Sequence, residues 1–423
     1  MKILISLILL IKALAFTSYC QNSSFTSRQK ELVDSLLQVT QTSRHDTIRA
    51  RTYLQLGNLF LNTKPDTAIY FYTQALKIAE KIPAPKGIIH KANILNQLSQ
   101  AYTKLGNSSQ ALNILLKAQR ILELHIPTTP QVSSKSELQR LLALVLKSIG
   151  NNYQSVYFDY ARALEYYFKA LRISETLKLL SYQAILLQSI SIVYGILNKP
   201  NKALDYLLKA LAINQKLNNK AMVASNLGYI GNAYGALREW DKALEFFLKA
   251  LQINKELNNK YNQANNLDNI GNLYFSMNQP EKAIIYFTQA LAICQEIDDK
   301  SGVAYTLGGI GASYLQLKQY ALAEKYLKEA IALSHQLGDI FQLKEDYQTL
   351  SDLLAQTNRY REALQAHKQY VLYKDSVFKE ESQKATIQKE MQYHYEKEKA
   401  IREAEYQNRI NLEKEIQARQ KIV

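Results

Sequence analysis

The chain has 423 residues, 47% of them hydrophobic and 21% charged, with 14 Gly and 7 Pro, a balance too apolar for long disordered tracts. Its net charge is +15, yet no basic run or aromatic-basic module gathers that charge, so nucleic-acid binding is not expected. Two cysteines and six scattered histidines offer no metal-ligand spacing and no nucleophile elbow or kinase motif appears, so no cofactor, metal, small-molecule substrate or catalysis is expected.

Residues 1–20 read as an export signal: Lys2, an apolar run over 3–11, then Ala13-Leu14-Ala15 and Ser18-Tyr19-Cys20. Lys12 interrupts the run, which makes it a poor membrane span. Cleavage after Cys20 or after Ala15, or a lipid anchor on Cys20, would each place the chain in the periplasm or cell envelope. Removal of the segment leaves Cys294 as the single cysteine. It sits in an apolar helical stretch, where a buried, inert thiol is expected. Residues 24–43, with Leu32, Leu36 and Leu37, read as an N-terminal capping helix.

From about residue 47 to 375 the chain is a tandem array. Alanines recur every 40 residues at Ala163, Ala203, Ala243, Ala283, Ala323 and Ala363, and the first five are followed by a second alanine at Ala170, Ala210, Ala250, Ala290 and Ala330. In one unit Leu227, Ile230 and Tyr234 form one helical face, and after a break Ala243, Phe247, Ala250 and Ile253 form another. Asp241 is expected to cap that second helix. In neighbouring units the break holds Pro200 and Pro280, residues tolerated in a first helical turn. Gly231, Gly271 and Gly311, with the alanine pairs, are expected where two backbones approach closely. Two less regular units precede the periodic ones, around Gly57 and Tyr72 and around Tyr102 and Ala111. After them an insertion near 123–135, with Pro127 and Pro130, is expected to loop out of one face. The eighth unit is degraded at Leu354, His367 and Tyr370, as terminal repeats often are.

The run IGNAYGALREWDKALEFFLKALQI resembles the tetratricopeptide repeat: Gly231, Tyr234, Ala243, Phe247 and Ala250 match that family's framework, and Gly271, Tyr274, Ala283, Phe287 and Ala290 repeat it. The 40-residue period and the Asn-rich stretch NNLDNIGNLY resemble the family's longer variant. The resemblance implies an all-α, right-handed superhelical solenoid of about eight helix-turn-helix repeats. It also implies a non-catalytic scaffold whose first helices line a concave groove for protein or peptide segments.

Ile230 should face its partner helix, and Asn232, about 200° further round, should face away. The row through that position reads Asn58, Gln100, Asn151, Ile192, Asn232, Asn272, Ala312 and Asp352. A carboxamide both donates and accepts, so it can pair with a bound backbone whatever its sequence. The expected groove residues are Asn151, Asn232, Asp268, Asn272, Phe275, Tyr305 and Leu315, the apolar ones forming side-chain pockets. The other reading is that these asparagines solvate an exposed face or tie repeats together. Gly308-Gly309-Ile310-Gly311 looks like a phosphate loop, but it lies inside a repeat helix, where packing is expected.

Residues 376–423 carry interspersed charges and no Gly or Pro, the composition of one long helix. Ile387, Met391, His394, Ile401 and Leu412 make only a patchy heptad. The segment is expected to fold over the last repeat, with homodimerisation through a coiled coil as the alternative. The order of signal, repeats and charged helix resembles the sensor region of bacterial histidine kinases and adenylate cyclases. That likeness implies, as a second functional reading, a signal-transduction component that pairs with a membrane-bound kinase through its last helix.

Overall fold

A computed structural model describes residues 26–376, and all the regular structure among them is helical. The expected signal at 1–20 and the charged segment with its heptad at 377–423 lie outside the described residues. Contacts divide the chain into two compact units, and each is taken by itself: residues 26–156 with 165–178, and residues 157–164 with 179–376.

The first unit opens with α1 (Ser27–Thr42). Thr26 accepts from the Gln29 backbone N–H while the Gln29 side chain returns a bond to the Thr26 backbone, a reciprocal cap of the helix start. Then come α2 (Asp46–Phe60), α3 (Pro65–Ala79), α4 (Lys86–Lys104), α5 (Ser108–Thr128), α6 (Val132–Ser155) and the larger part of α7 (Tyr160–Thr176). The insertion does not loop out. Pro127 lies inside the last turn of α5 and Val132 starts α6, so the extra residues lengthen these two helices to 21 and 24 residues. Pro127 cannot donate to the carbonyl four residues before it, but only Thr128 follows it in the helix, so the break falls at the helix end.

The second unit is more regular. It runs through α8 (Leu180–Ile196), α9 (Pro200–Lys216), α10 (Lys220–Ala236), α11 (Trp240–Glu256), α12 (Lys260–Ser276), α13 (Pro280–Glu296), α14 (Lys300–Gln316), α15 (Tyr320–Leu337), α16 (Ile340–Gln356) and α17 over 360–376. The period of 40 has a backbone cause. Each helix from α8 to α16 ends on a residue of positive φ, and these recur every twenty positions: Asn198, Asn218, Arg238, Asn258, Asn278, Asp298, Lys318, Gly338 and Asn358. The left-handed residue lets the chain reverse while the next N–H closes the helix end. Asn198 N–H bonds the Gly195 carbonyl at 2.9 Å and Lys199 N–H bonds the Tyr194 carbonyl at 2.9 Å. Asn and Asp occupy most of these sites because they tolerate that conformation best after Gly.

The two kinds of joint differ. From α10 onward a side-chain cap stands before the first helix of each pair: Asn219 accepts from Met222 N–H, Asn259 from Asn262, Asp299 from Gly302 and Asp339 from Gln342. Before the second helix no side chain caps, and Pro200, Trp240, Pro280 or Tyr320 begins the turn. Asp241 therefore does not cap α11; it lies within the first turn, where its charge still suits the helix dipole.

Packing repeats with the same period. Ala243, Ala250, Ala283 and Ala290 are fully buried. The glycines face rings rather than these alanines: a methyl on Gly231 would stand 2.6 Å from a Phe247 ring carbon, and one on Gly271 would stand 2.7 Å from Phe287. The small residue in the first helix thus makes room for the large aromatic of the second. Gly309 likewise faces Phe287, and Gly311 faces Leu327, so the glycine-rich run of α14 is occupied by side chains of neighbouring helices. The tyrosines pair one position earlier, Tyr234 stacking on Phe246 and Tyr274 on Tyr286 with centroids 5.4 Å apart.

Candidate functional site

Helices α10, α12 and α14 are the first members of three consecutive pairs, and together they line a cleft of about 510 Å³ in the second unit. Its wall is rich in carboxamides: Asn232 from α10, then Asn262, Asn265, Asn266 and Asn269 from α12, with Asn254 reaching in from α11. The four on α12 follow i, i+3, i+4 and i+7, the spacing of one helical face. Tyr229, Tyr261 and Tyr305 present exposed rings along the same cleft. Asp268, Asp299 and Asp339 complete the charged lining, which holds no Lys or Arg.

Beneath the cleft runs a ladder of buried polar side chains. Asn214 donates to Asn226 at 2.7 Å, and one period later Asn254 donates to Asn266 at 2.8 Å. Between repeats, Asn226 donates to Gln188 at 3.2 Å and Thr306 donates to Asp268 at 2.9 Å. Where the partner position is glycine, at Gly228 and Gly308, the missing side chain leaves space for Asn266 and Asp346. Such bonds are satisfied only in one register of repeat against repeat, so the ladder fixes how neighbouring pairs stack.

Two rungs are carboxylates. Asp268 is 6% exposed and burial pushes its carboxyl up to about 7, opposed by the Thr306 hydroxyl and assisted by the nearby Asp299. Asp346 is 2% exposed and burial lifts it to about 7 as well, against the Gln342 amide that donates to it. Cys294 is a free thiol that burial raises to about 11, so it stays protonated and unreactive at neutral pH.

Tetratricopeptide-repeat family models match residues 222–296, 303–337 and 92–121, covering most of the cleft and an earlier pair. Over these stretches the chain carries tetratricopeptide repeats. Among solved structures its fold is similar to the apo form of RapI, with a TM-score of 0.54 at 18% identity over 68% of this chain and 98% of that one. It is similar also to a Rap protein complexed with competence and sporulation factor, at 0.51, 14% identity, 79% of this chain and 99% of that one. The apo quorum sensor NprR from B. thuringiensis gives 0.56 at 14% identity, over 82% and 98% of the two chains. At these identities the likeness is one of fold. No curated protein matches the chain in sequence.

Of the expected groove residues, the repeat array brings Asn232, Asp268 and Tyr305 together in the cleft. Asn272 stands beside it and donates to the Tyr305 hydroxyl at 3.0 Å. Phe275 and Leu315 turn to the packing between repeats, Phe275 against the cluster of Ala283, Phe287 and Ile310 and Leu315 against that of Leu327 and Leu350. Both are half-buried, held by hydrophobic contact, and neither lines the cleft. Asn151 belongs to the first unit, where it accepts from the Tyr167 hydroxyl at 2.8 Å. The row at 232 thus marks the edge of the cleft, and the face at 262, 265, 266 and 269 forms its floor. Among the described residues no three His, Cys, Asp or Glu side chains converge on a metal-sized site, and no helix is long and apolar enough to cross a membrane.

Proposed function

We propose that the chain is a non-catalytic scaffold that holds an extended segment of a partner protein or peptide in the cleft formed by α10, α12 and α14. The observation that carries this reading is the amide lining. Asn232, Asn262, Asn265 and Asn269 line one cleft and offer amide donors and acceptors that bind a backbone without dictating its sequence. The exposed tyrosines add broad, rigid contact area beside these amides. The partners are protein or peptide segments; Cys294 is buried, and Asp299 and Asp339 cap helices. The exported location proposed for the scaffold rests on Lys2 and the apolar run after it, and fractionation of cells should recover the chain from the envelope.

Affinity capture of partners from the native source tests the scaffold reading. Asn232→Ala combined with Asn269→Ala should lower capture at least tenfold, with an unchanged circular dichroism spectrum. Equal capture by the double variant and the parent overturns the assignment of the cleft.

A further inference from the structure

The charge of the cleft is opposite to that of the chain. Against a net charge of +15, the lining holds Asp268, Asp299 and Asp339 and no Lys or Arg. The lysines that begin α10 and α12 reach Glu256 and Glu296 of the neighbouring second helices instead. Asp299 and Asp339 have a structural use, since each caps a helix through Oδ1. Asp268 has none that requires a charge: its Oδ1 accepts from the Thr306 hydroxyl and no cation pairs with it.

A second observation concerns Asn254. It is 2% exposed, reaches the cleft, and spends its Nδ2 on Asn266, while its Oδ1 is buried without a hydrogen-bond partner. A buried acceptor left unpaired is costly, as is a buried carboxylate without a cation. Both stand at the same cleft, and both are satisfied by a ligand that brings donors and positive charge. The three exposed tyrosine rings add faces on which a flat cation can stack.

We propose that the cleft selects extended peptide segments carrying an arginine, whose guanidinium seats on the Asp268 carboxylate and the tyrosine rings while a donor elsewhere on the segment meets the Asn254 carbonyl oxygen. This rests on the scaffold reading and adds the chemistry of the preferred side chain. Guanidinium suits the site better than ammonium because its planar fork donates several bonds at once and stacks on rings.

The test uses the full chain and pools of acetylated, amidated hexapeptides with an Ala/Ser background and one variable residue: Arg, citrulline, Lys or Glu. Citrulline keeps the shape and removes the charge. Fluorescence anisotropy at pH 8 should show the Arg pool binding at least tenfold more tightly than the citrulline pool, with Glu weakest. Asp268→Asn, which keeps an acceptor for Thr306, should abolish the Arg-over-citrulline preference, while Asn232→Ala should weaken both pools alike. Equal binding of the Arg and citrulline pools overturns the charge selection but leaves backbone capture standing. Failure of every pool removes both readings. Binding of spermidine with no binding of the Arg pool also overturns the proposal, assigning the cleft to a small polycation.

Discussion

Asp346→Asn should make the protein more stable, and by an amount that depends on pH. The carboxyl occupies the ladder position that Asn226 and Asn266 fill in earlier repeats. It is 2% exposed, accepts from Gln342, and its other oxygen is buried without a partner, facing the added repulsion of Asp339 and Glu345. Because the folded-state value, about 7, lies above the ordinary 3.8, the folded chain holds the proton more tightly than the unfolded one. Its contribution is therefore intact below pH 4 and is lost as pH rises through 7. A difference of roughly three pKa units corresponds to about 4 kcal/mol at the upper limit. The asparagine variant keeps the Gln342 bond and never ionises. Urea denaturation of parent and variant at pH 4, 6 and 8.5 should give a difference near zero at pH 4 that grows to about 2–4 kcal/mol in the variant's favour at pH 8.5. A difference that is flat with pH, or a variant weaker than the parent at pH 8.5, would refute the argument that burial governs this carboxyl.

Other outcomes follow from the same contacts. Gly231→Ala places a methyl against the Phe247 ring and should cost about 1–3 kcal/mol in thermal or urea denaturation, a loss that Phe247→Leu in the same chain should partly restore. Arg238→Gly and Lys318→Gly, at φ of 59° each, should raise stability by roughly 0.5–1 kcal/mol apiece, the relief of the left-handed backbone exceeding the added freedom of the unfolded chain; a loss on calorimetry would contradict this. Affinity for the Arg hexapeptide pool should rise up to about tenfold between pH 6 and 8 as Asp268 ionises. Asp299, Cys294 and Tyr305 also face Asp268, so the same titration in Asp268→Asn separates its share.

The fold was legible because alanine and glycine recur in strict register: Gly231, Ala243 and Ala250 declare helix pairs before any coordinate is known. What those residues touch was less legible. Gly231 opposes Phe247 rather than an alanine, because a glycine in a sequence shows that space is needed and not which side chain fills it. Asn232 and Asp268 do line the cleft, but Phe275 and Leu315 were assigned to it from helical angle alone, and burial between repeats claims apolar side chains wherever it is available. The floor of the cleft had a sequence signal that went unread, the asparagines at 262, 265, 266 and 269 in helical spacing. The buried ladder was visible only as Asn214 and Asn254, Asn226 and Asn266 in two further rows of period 40, whose pairing needs the stacked helices to be seen.

The evenly spaced joints make array length an easily altered quantity. Since every helix of the second unit from α8 to α14 has 17 residues and each ends on the same backbone reversal, removing or duplicating any 40-residue stretch rejoins like to like. A chain of this kind can lengthen or shorten by whole pairs with every joint kept in phase. The cleft sets the floor on that freedom: it needs three successive first helices, so shortening can proceed only until one of α10, α12 or α14 would be lost.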